Sequence, residues 1–138
     1  MKILVDLNVM LDFLERRESF FEDAASVLDR VLNGNLVGVL PAHGVTTLYY
    51  FLAKTVDPKQ TQEFLRWMLA NFEIGSCDAS VLTAAIDLGF DDYEDAVTAV
   101  IASRTGCEYI VTRNRRDFDR SPTPALAPGQ FLTRIDAN

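Results

Sequence analysis

The chain has 138 residues, a length typical of one domain and enough to bury a core without disulfides or structural metal. Its 20 acidic and 13 basic side chains leave a net charge of −7, which argues against gripping nucleic acid over the whole surface but suits acidic clusters built for metals and leaves room for local basic patches. No charged stretch leads into an apolar segment with a cleavage site, and no apolar run reaches about 18 residues, so neither signal peptide nor membrane span is expected and the cytoplasm is the expected compartment. Cys77 and Cys107 lie far apart without paired-ligand spacing and read as reduced packing residues.

In chain order, short apolar runs alternate with longer periodic ones, the pattern of an α/β fold. Ile3-Leu4-Val5 cannot divide into a core face and a wet face, so it predicts a strand covered on both sides, halted at Asp6. A short helix follows from Asn8 to about Glu15. Ser19 and Glu22 have the spacing of a capping box, predicting a helix to Asn33-Gly34 with Phe20, Ala24, Val27, Leu28 and Val31 facing the core. Leu36–Leu40 is the second strand, stopped by Pro41. A helix from about Gly44 to Thr55 comes next, then another capped by Asp57 with Pro58 at its first position and Phe64, Leu65, Met68 and Leu69 inward. Phe72–Gly75 is a brief third strand, before a helix capped by Asp78 that carries Val81, Leu82, Ala85 and Ile86 and ends at Gly89. Asp91–Thr105 opens acidic and continues as AVTAVIA, apolar on nearly all sides, which predicts a buried helix. Tyr109–Thr112 is a fourth strand and Arg113–Arg120 a polar loop with one helical turn. Pro124–Ala127 is a weak fifth strand, and Pro128–Thr133 a final short helix. The expectation is one domain over residues 1–138: a three-layer α/β/α sandwich around a parallel sheet of about five strands.

In open parallel sheets, catalytic groups collect beyond the carboxyl ends of the strands. Asp6 stands there after the first strand, and Thr112, Arg113 and Asn114 after the fourth, with Asp117 three residues on. Asp92 and Asp95, spaced by three, would share a helix face. Carboxylates so gathered raise one another's pKa values unless a cation neutralises them, and Mg2+ or Mn2+ with its oxygen ligands is the economical solution. Plainer readings compete. Asp6 or Asn8 could merely cap a helix, the acids from Asp91 to Asp95 could complement a helix dipole, and Asp117 could be a loop acid paired with an arginine. Arg113, Arg115, Arg116 and Arg120 form a dense basic patch that could hold RNA phosphates, or a solvated loop. His43, the lone histidine, could approach the cleft as a proton carrier or phosphate contact, or serve as a loop polar group.

Asp6 after ILV, the segment Asp92-Tyr93-Glu94-Asp95 leading into AVTAVIA, and Thr112-Arg113-Asn114-Arg115-Arg116-Asp117-Phe118 together resemble the PIN domain family. The resemblance spans nearly the whole chain and is closest to bacterial PIN proteins such as VapC-like toxins of toxin-antitoxin pairs. It implies an Mg2+- or Mn2+-dependent ribonuclease cutting RNA by metal-assisted hydrolysis, acting as a homodimer with a cognate antitoxin protein. Position by position, Asp6 and Asp95 match the firmest metal-binding acids, and Asp117 or Asn114 the more variable fourth position. Thr112 matches the hydroxyl residue beside it, and Asp92 is a further candidate ligand. The family usually carries a glutamate on the helix after the second strand. Thr46-Thr47-Leu48-Tyr49 puts tyrosine there, and no acid occurs from Leu36 to Val56. The alternative function is therefore a catalytically weakened PIN-like binding or interaction module. A phosphatase or response receiver using Asp6 would need a second acid at Asn8, or an aspartate after the third strand and a late lysine, and none is present.

Overall fold

The computed structural model describes residues 1–137. Its elements run β1 (Lys2–Val5), α1 (Leu7–Leu14), α2 (Phe21–Leu32), β2 (Val37–Pro41), α3 (Ala42–Leu52), α4 (Pro58–Asn71), β3 (Glu73–Gly75), α5 (Ala79–Ile86), α6 (Tyr93–Arg104), β4 (Tyr109–Val111), a 3-10 helix (Arg115–Phe118), β5 (Ala125–Leu126) and α7 (Pro128–Asp136). The five strands form one sheet in the order β3-β2-β1-β4-β5, every pair parallel. β1 is the middle strand, with Leu4 opposite Val39 on one side and Ile110 on the other.

The doubly apolar character of β1 now has its cause. Ile3 and Val5 point into a core built with α1 to α4 and α7, where Val9, Leu28, Leu48, Met68 and Phe131 are buried. Leu4 points the other way, into a core with α5 and α6 that holds Val81, Val97, Ile101 and Ile110. The three-layer α/β/α sandwich around five parallel strands is as expected. α6 is buried from Ala96 to Ala102. Gly75 permits its close approach to the sheet, because a Cβ there would collide with the Ile101 side chain. Gly34, at φ +78°, closes α2 as its Asn33-Gly34 signal predicts.

Several local expectations need correction. Ser19 does not cap α2: it has φ +73°, and the helix begins at Phe21 without a side-chain cap. The Arg17 carbonyl accepts the Phe20 and Phe21 amides, winding this segment into a turn that holds Ser19 away from the helix start. Phe20 is 42% exposed and forms a platform for the Arg113 guanidinium, 4.4 Å from its ring centroid. Leu69, Leu82 and Ile86 face out, Ile86 at 67% exposure, because α4 and α5 each cover their core with a narrower stripe than the apolar pattern suggested. Asp92 is the cap of α6, one residue before its first turn. β4 stops at Val111, and α7 runs on to Asp136. Both cysteines are free. Among the described residues no helix is long and apolar enough to cross a membrane.

Candidate active site

Parallel pairing brings the carboxyl ends of β1 and β4 side by side, and the chain binds them together just past the sheet. The Asp6 amide continues the ladder to Val111 O at 3.0 Å. Its side chain then accepts three hydrogen bonds: Oδ1 from the Leu7 amide at 2.9 Å, and Oδ2 from Thr112 Oγ1 at 2.8 Å and Asn8 Nδ2 at 3.3 Å. Asn8 Oδ1 accepts the Arg113 amide at 3.2 Å, and Thr112 Oγ1 accepts the Asn114 amide at 3.0 Å. Asp6 is thus both the cap of α1 and the centre of a network spanning two strands. The cap reading of Asp6 holds, and the cap is tied to β4 as well.

This network orients a carboxylate that its surroundings penalise. Burial pushes the Asp6 pKa up, and the Asp117 charge adds to that; the bonds from Thr112 and Leu7, and the proximity of His43, pull the other way. Part of Asp6 still opens into a pocket of about 170 Å³ shared with Asn8, His43, Thr47, Glu94, Asp95 and Asn114. Asp95 enters from the first turn of α6, held by its amide donating to Asp92 Oδ1 at 3.2 Å. Its pKa is pushed up to about 7, first by burial and then by the charges of Asp92, Asp6, Asp117 and Glu94.

The expected residues divide around this pocket. Asp6, Asp95, Asn114 and His43 line it. Asp117, on the 3-10 helix, lies with Asp92 and Arg116 along a neighbouring depression of about 440 Å³ whose wall Asp95 shares. Asp92 and Asp117 therefore act on Asp95 through their charge, from outside the pocket. Arg115 and Arg116 are exposed along a further groove that includes Asn114, and neither makes an ion pair among the described residues. Arg113 departs from its expected role on the RNA. Its Nε and Nη2 grip Asp12 at 2.8 and 3.1 Å, and Asp12 is only 1% exposed, so the guanidinium fork is committed to a buried carboxylate.

Three pocket residues escaped the sequence reading. Asn8 lies two residues after Asp6, and its amide bridges β1 to the β4 loop. Glu94, among the acids that could merely complement the helix dipole, lines the pocket, whereas Asp92 does not. On α3 the residue turned toward Asp6 and Asp95 is Thr47, one helical turn after His43, whereas Tyr49 is 40% exposed and outside the pocket. The 3.6-residue period counted from His43 would have favoured Thr47.

Among the described residues, no three His, Cys, Asp or Glu side chains are gathered tightly enough to form a ready-made metal cage. The oxygen donors that line the pocket are the carboxylates of Asp6, Asp95 and Glu94, with the amides of Asn8 and Asn114 beside them. That set fits a hard divalent ion, which commonly keeps several waters and uses one or two carboxylates plus substrate phosphate. The upward pKa of Asp6 and Asp95 marks negative charge that a cation would relieve.

A family model described as the PIN domain matches residues 2–116. The chain belongs to the PIN domain family. The chain is 27% identical over 139 residues to Ribonuclease VapC1 of Aquifex aeolicus (strain VF5), covering 96% of this chain and 94% of that protein. Its fold is similar to that of VapBC-1 from nontypeable Haemophilus influenzae, with a TM-score of 0.71, 12% identity and coverage of 94% and 99%. A toxin-antitoxin complex from Klebsiella pneumoniae is similar with a TM-score of 0.70, 18% identity and coverage of 91% and 97%. At these identities the solved structures establish the PIN fold.

Proposed function

We propose that this PIN domain is a divalent-metal-dependent endoribonuclease, the toxin of a toxin-antitoxin pair. The observation that carries the reading is that Asp6 and Asp95 line one pocket beyond the strand ends, both held at raised pKa with no lysine or arginine lining the pocket beside them. The name Ribonuclease VapC1 borne by a relative, and the toxin-antitoxin complex among proteins of this fold, support the substrate class and the partner.

Asp6 and Asp95 would hold Mg2+ or Mn2+, with Asn114, Asp92 and Asp117 as further ligands or charge partners. When bound, the ion would supply an activated water and neutralise charge developing on the phosphodiester. The chain's own residues do the rest. Thr112 and Asn8 fix the Asp6 carboxylate through Oδ2. Arg115 and Arg116, free of ion pairs among the described residues, contact RNA phosphates and position the backbone. The protein works in the cytoplasm as a homodimer held in check by a cognate antitoxin.

Cleavage of RNA in Mg2+ or Mn2+ by wild type and by Asp6→Asn tests this reading. Wild type should cleave, Asp6→Asn should lose activity by at least 100-fold, and equal cleavage by both would reject it. A second reading, a binding module with weakened catalysis, draws on Thr47 standing where α3 offers the pocket no acid. Calorimetry showing no divalent-ion binding at neutral pH would favour it.

A further inference from the structure

Asp12 is the one charged side chain that is buried among the described residues. It interrupts an otherwise apolar stretch of α1, one helical turn after Asn8, and both of these residues hold Arg113. Asn8 Oδ1 accepts the Arg113 amide at 3.2 Å, while the Asp12 carboxylate accepts Nε and Nη2 of the same residue at 2.8 and 3.1 Å. The segment after α1 completes the enclosure. Phe20 lies against the guanidinium, and Arg17, 3.6 Å from the Asp12 carboxylate, donates its amide to the Asp12 carbonyl at 3.0 Å.

A buried ion pair is a weak device for stability, because desolvating both charges offsets their attraction and apolar side chains of similar shape hold a core as well or better. What a bidentate pair supplies is direction: the planar fork meets a carboxylate in one orientation. Direction has a use at this place in the chain. Arg113 stands between Thr112, which donates to Asp6 Oδ2 at 2.8 Å and accepts the Asn114 amide at 3.0 Å, and Asn114, which lines the pocket. Asn8, bonded to the Arg113 amide through Oδ1, donates through Nδ2 to Asp6 Oδ2 at 3.3 Å. Holding Arg113 at both its amide and its guanidinium therefore fixes the two side-chain donors on Asp6 and the course of the chain into Asn114.

We propose that Asp12, which lies outside the pocket, is a positioning residue for it: by gripping Arg113 it locks the loop after β4 onto α1 and so sets the Asp6 carboxylate and Asn114 in the arrangement that receives a divalent ion. The inference rests on the ribonuclease reading for the ion and its use, whereas the lock itself is independent of that reading.

The double variant Asp12→Leu/Arg113→Met separates orientation from stability. Leu repeats the branching of Asp, Met approaches the length of Arg and packs well on an aromatic ring, and Arg17 keeps Glu15 at 2.7 Å, so no charge is stranded. Its urea midpoint should equal or exceed that of wild type. The Asn114 amide of the metal-free variant should nevertheless exchange with deuterium about 10-fold faster by NMR, and the Kd for Mn2+ by calorimetry should rise about 10-fold. Arg113→Lys is the second variant, keeping a cation against Asp12 without the fork, and should show both changes at about threefold or more. In either folded variant, Asn114 exchange at the wild-type rate or Mn2+ affinity equal to that of wild type overturns the proposal. A double variant with a lowered urea midpoint and both readouts unchanged makes the pair purely structural and overturns it too. A wild type that cleaves no RNA in Mn2+ rejects the ribonuclease reading, and the exchange comparison still decides the lock.

Discussion

Replacing Asp95 by Asn should stabilise the metal-free protein at pH 8 and do little at pH 4. Asp95 has its pKa raised from 3.8 to about 7, by burial first and by the Asp92, Asp6, Asp117 and Glu94 charges after it. A carboxyl whose folded pKa lies above its unfolded value makes the folded state the better proton binder, so stability falls as pH rises between those two values. A displacement of about three pH units at ~1.36 kcal/mol each sets an upper bound of about 4 kcal/mol. Asp95 keeps substantial contact with water, which screens the repulsion, so about 1–2 kcal/mol is the magnitude to expect. Asp6 shifts in the same direction, and the two acids titrate as a pair whose second charge is the costly one. Urea denaturation of wild type and Asp95→Asn at pH 4, 6 and 8, with chelator, measures the difference directly. In a thermal melt at pH 8 the same difference should appear as roughly 3–8 °C in Tm. Millimolar Mn2+ should then raise the wild-type midpoint and leave the variant nearly unmoved. A variant equal to or weaker than wild type at pH 8, or a gain that does not change with pH, would refute the electrostatic account of this pocket.

Thr112→Val removes a donor to Asp6 and an acceptor for the Asn114 amide at a fully buried position, so a loss of about 1–3 kcal/mol is expected in chemical denaturation, with weaker cleavage from a misoriented Asp6. Arg113→Ala leaves the buried Asp12 carboxylate with only Arg17, 3.6 Å away, and should cost about 3 kcal/mol; a change below about 0.5 kcal/mol would show the pair to be dispensable. Gly75→Ala forces a methyl against Ile101 and should destabilise by about 1–3 kcal/mol, visible as a lower urea midpoint, unless α6 can withdraw.

The parts of this molecule legible in the sequence are those where local pattern and global packing agree. Ile3-Leu4-Val5 reads as a two-sided strand because the sheet is covered on both faces, and AVTAVIA reads as a buried helix because α6 is enclosed from Ala96 to Ala102. Ser19 illustrates the opposite case. Its spacing to Glu22 suits a cap, but the Arg17 carbonyl closes a turn across it, and Arg113, which stacks on the neighbouring Phe20, lies outside any short window. Arg113 was misplaced for the same reason, since its acid partner is 101 residues away. At the pocket, Asp6 and Asp95 could be singled out by strand-end position and burial. Thr47 is reached only by counting one turn on from His43, and Glu94 could not be singled out, because which face of a helix meets a cavity depends on how that helix docks.

The bond between Thr112 and Asp6 joins residues 106 positions apart, and the strand carrying Asp6 is the central one of the sheet. During synthesis, the first strand emerges long before its neighbour β4, so the carboxylate cannot be oriented until almost the entire chain has left the ribosome. Contacts of such long sequence separation also form slowly. A pocket built this way stays unassembled through nearly all of the chain's own translation.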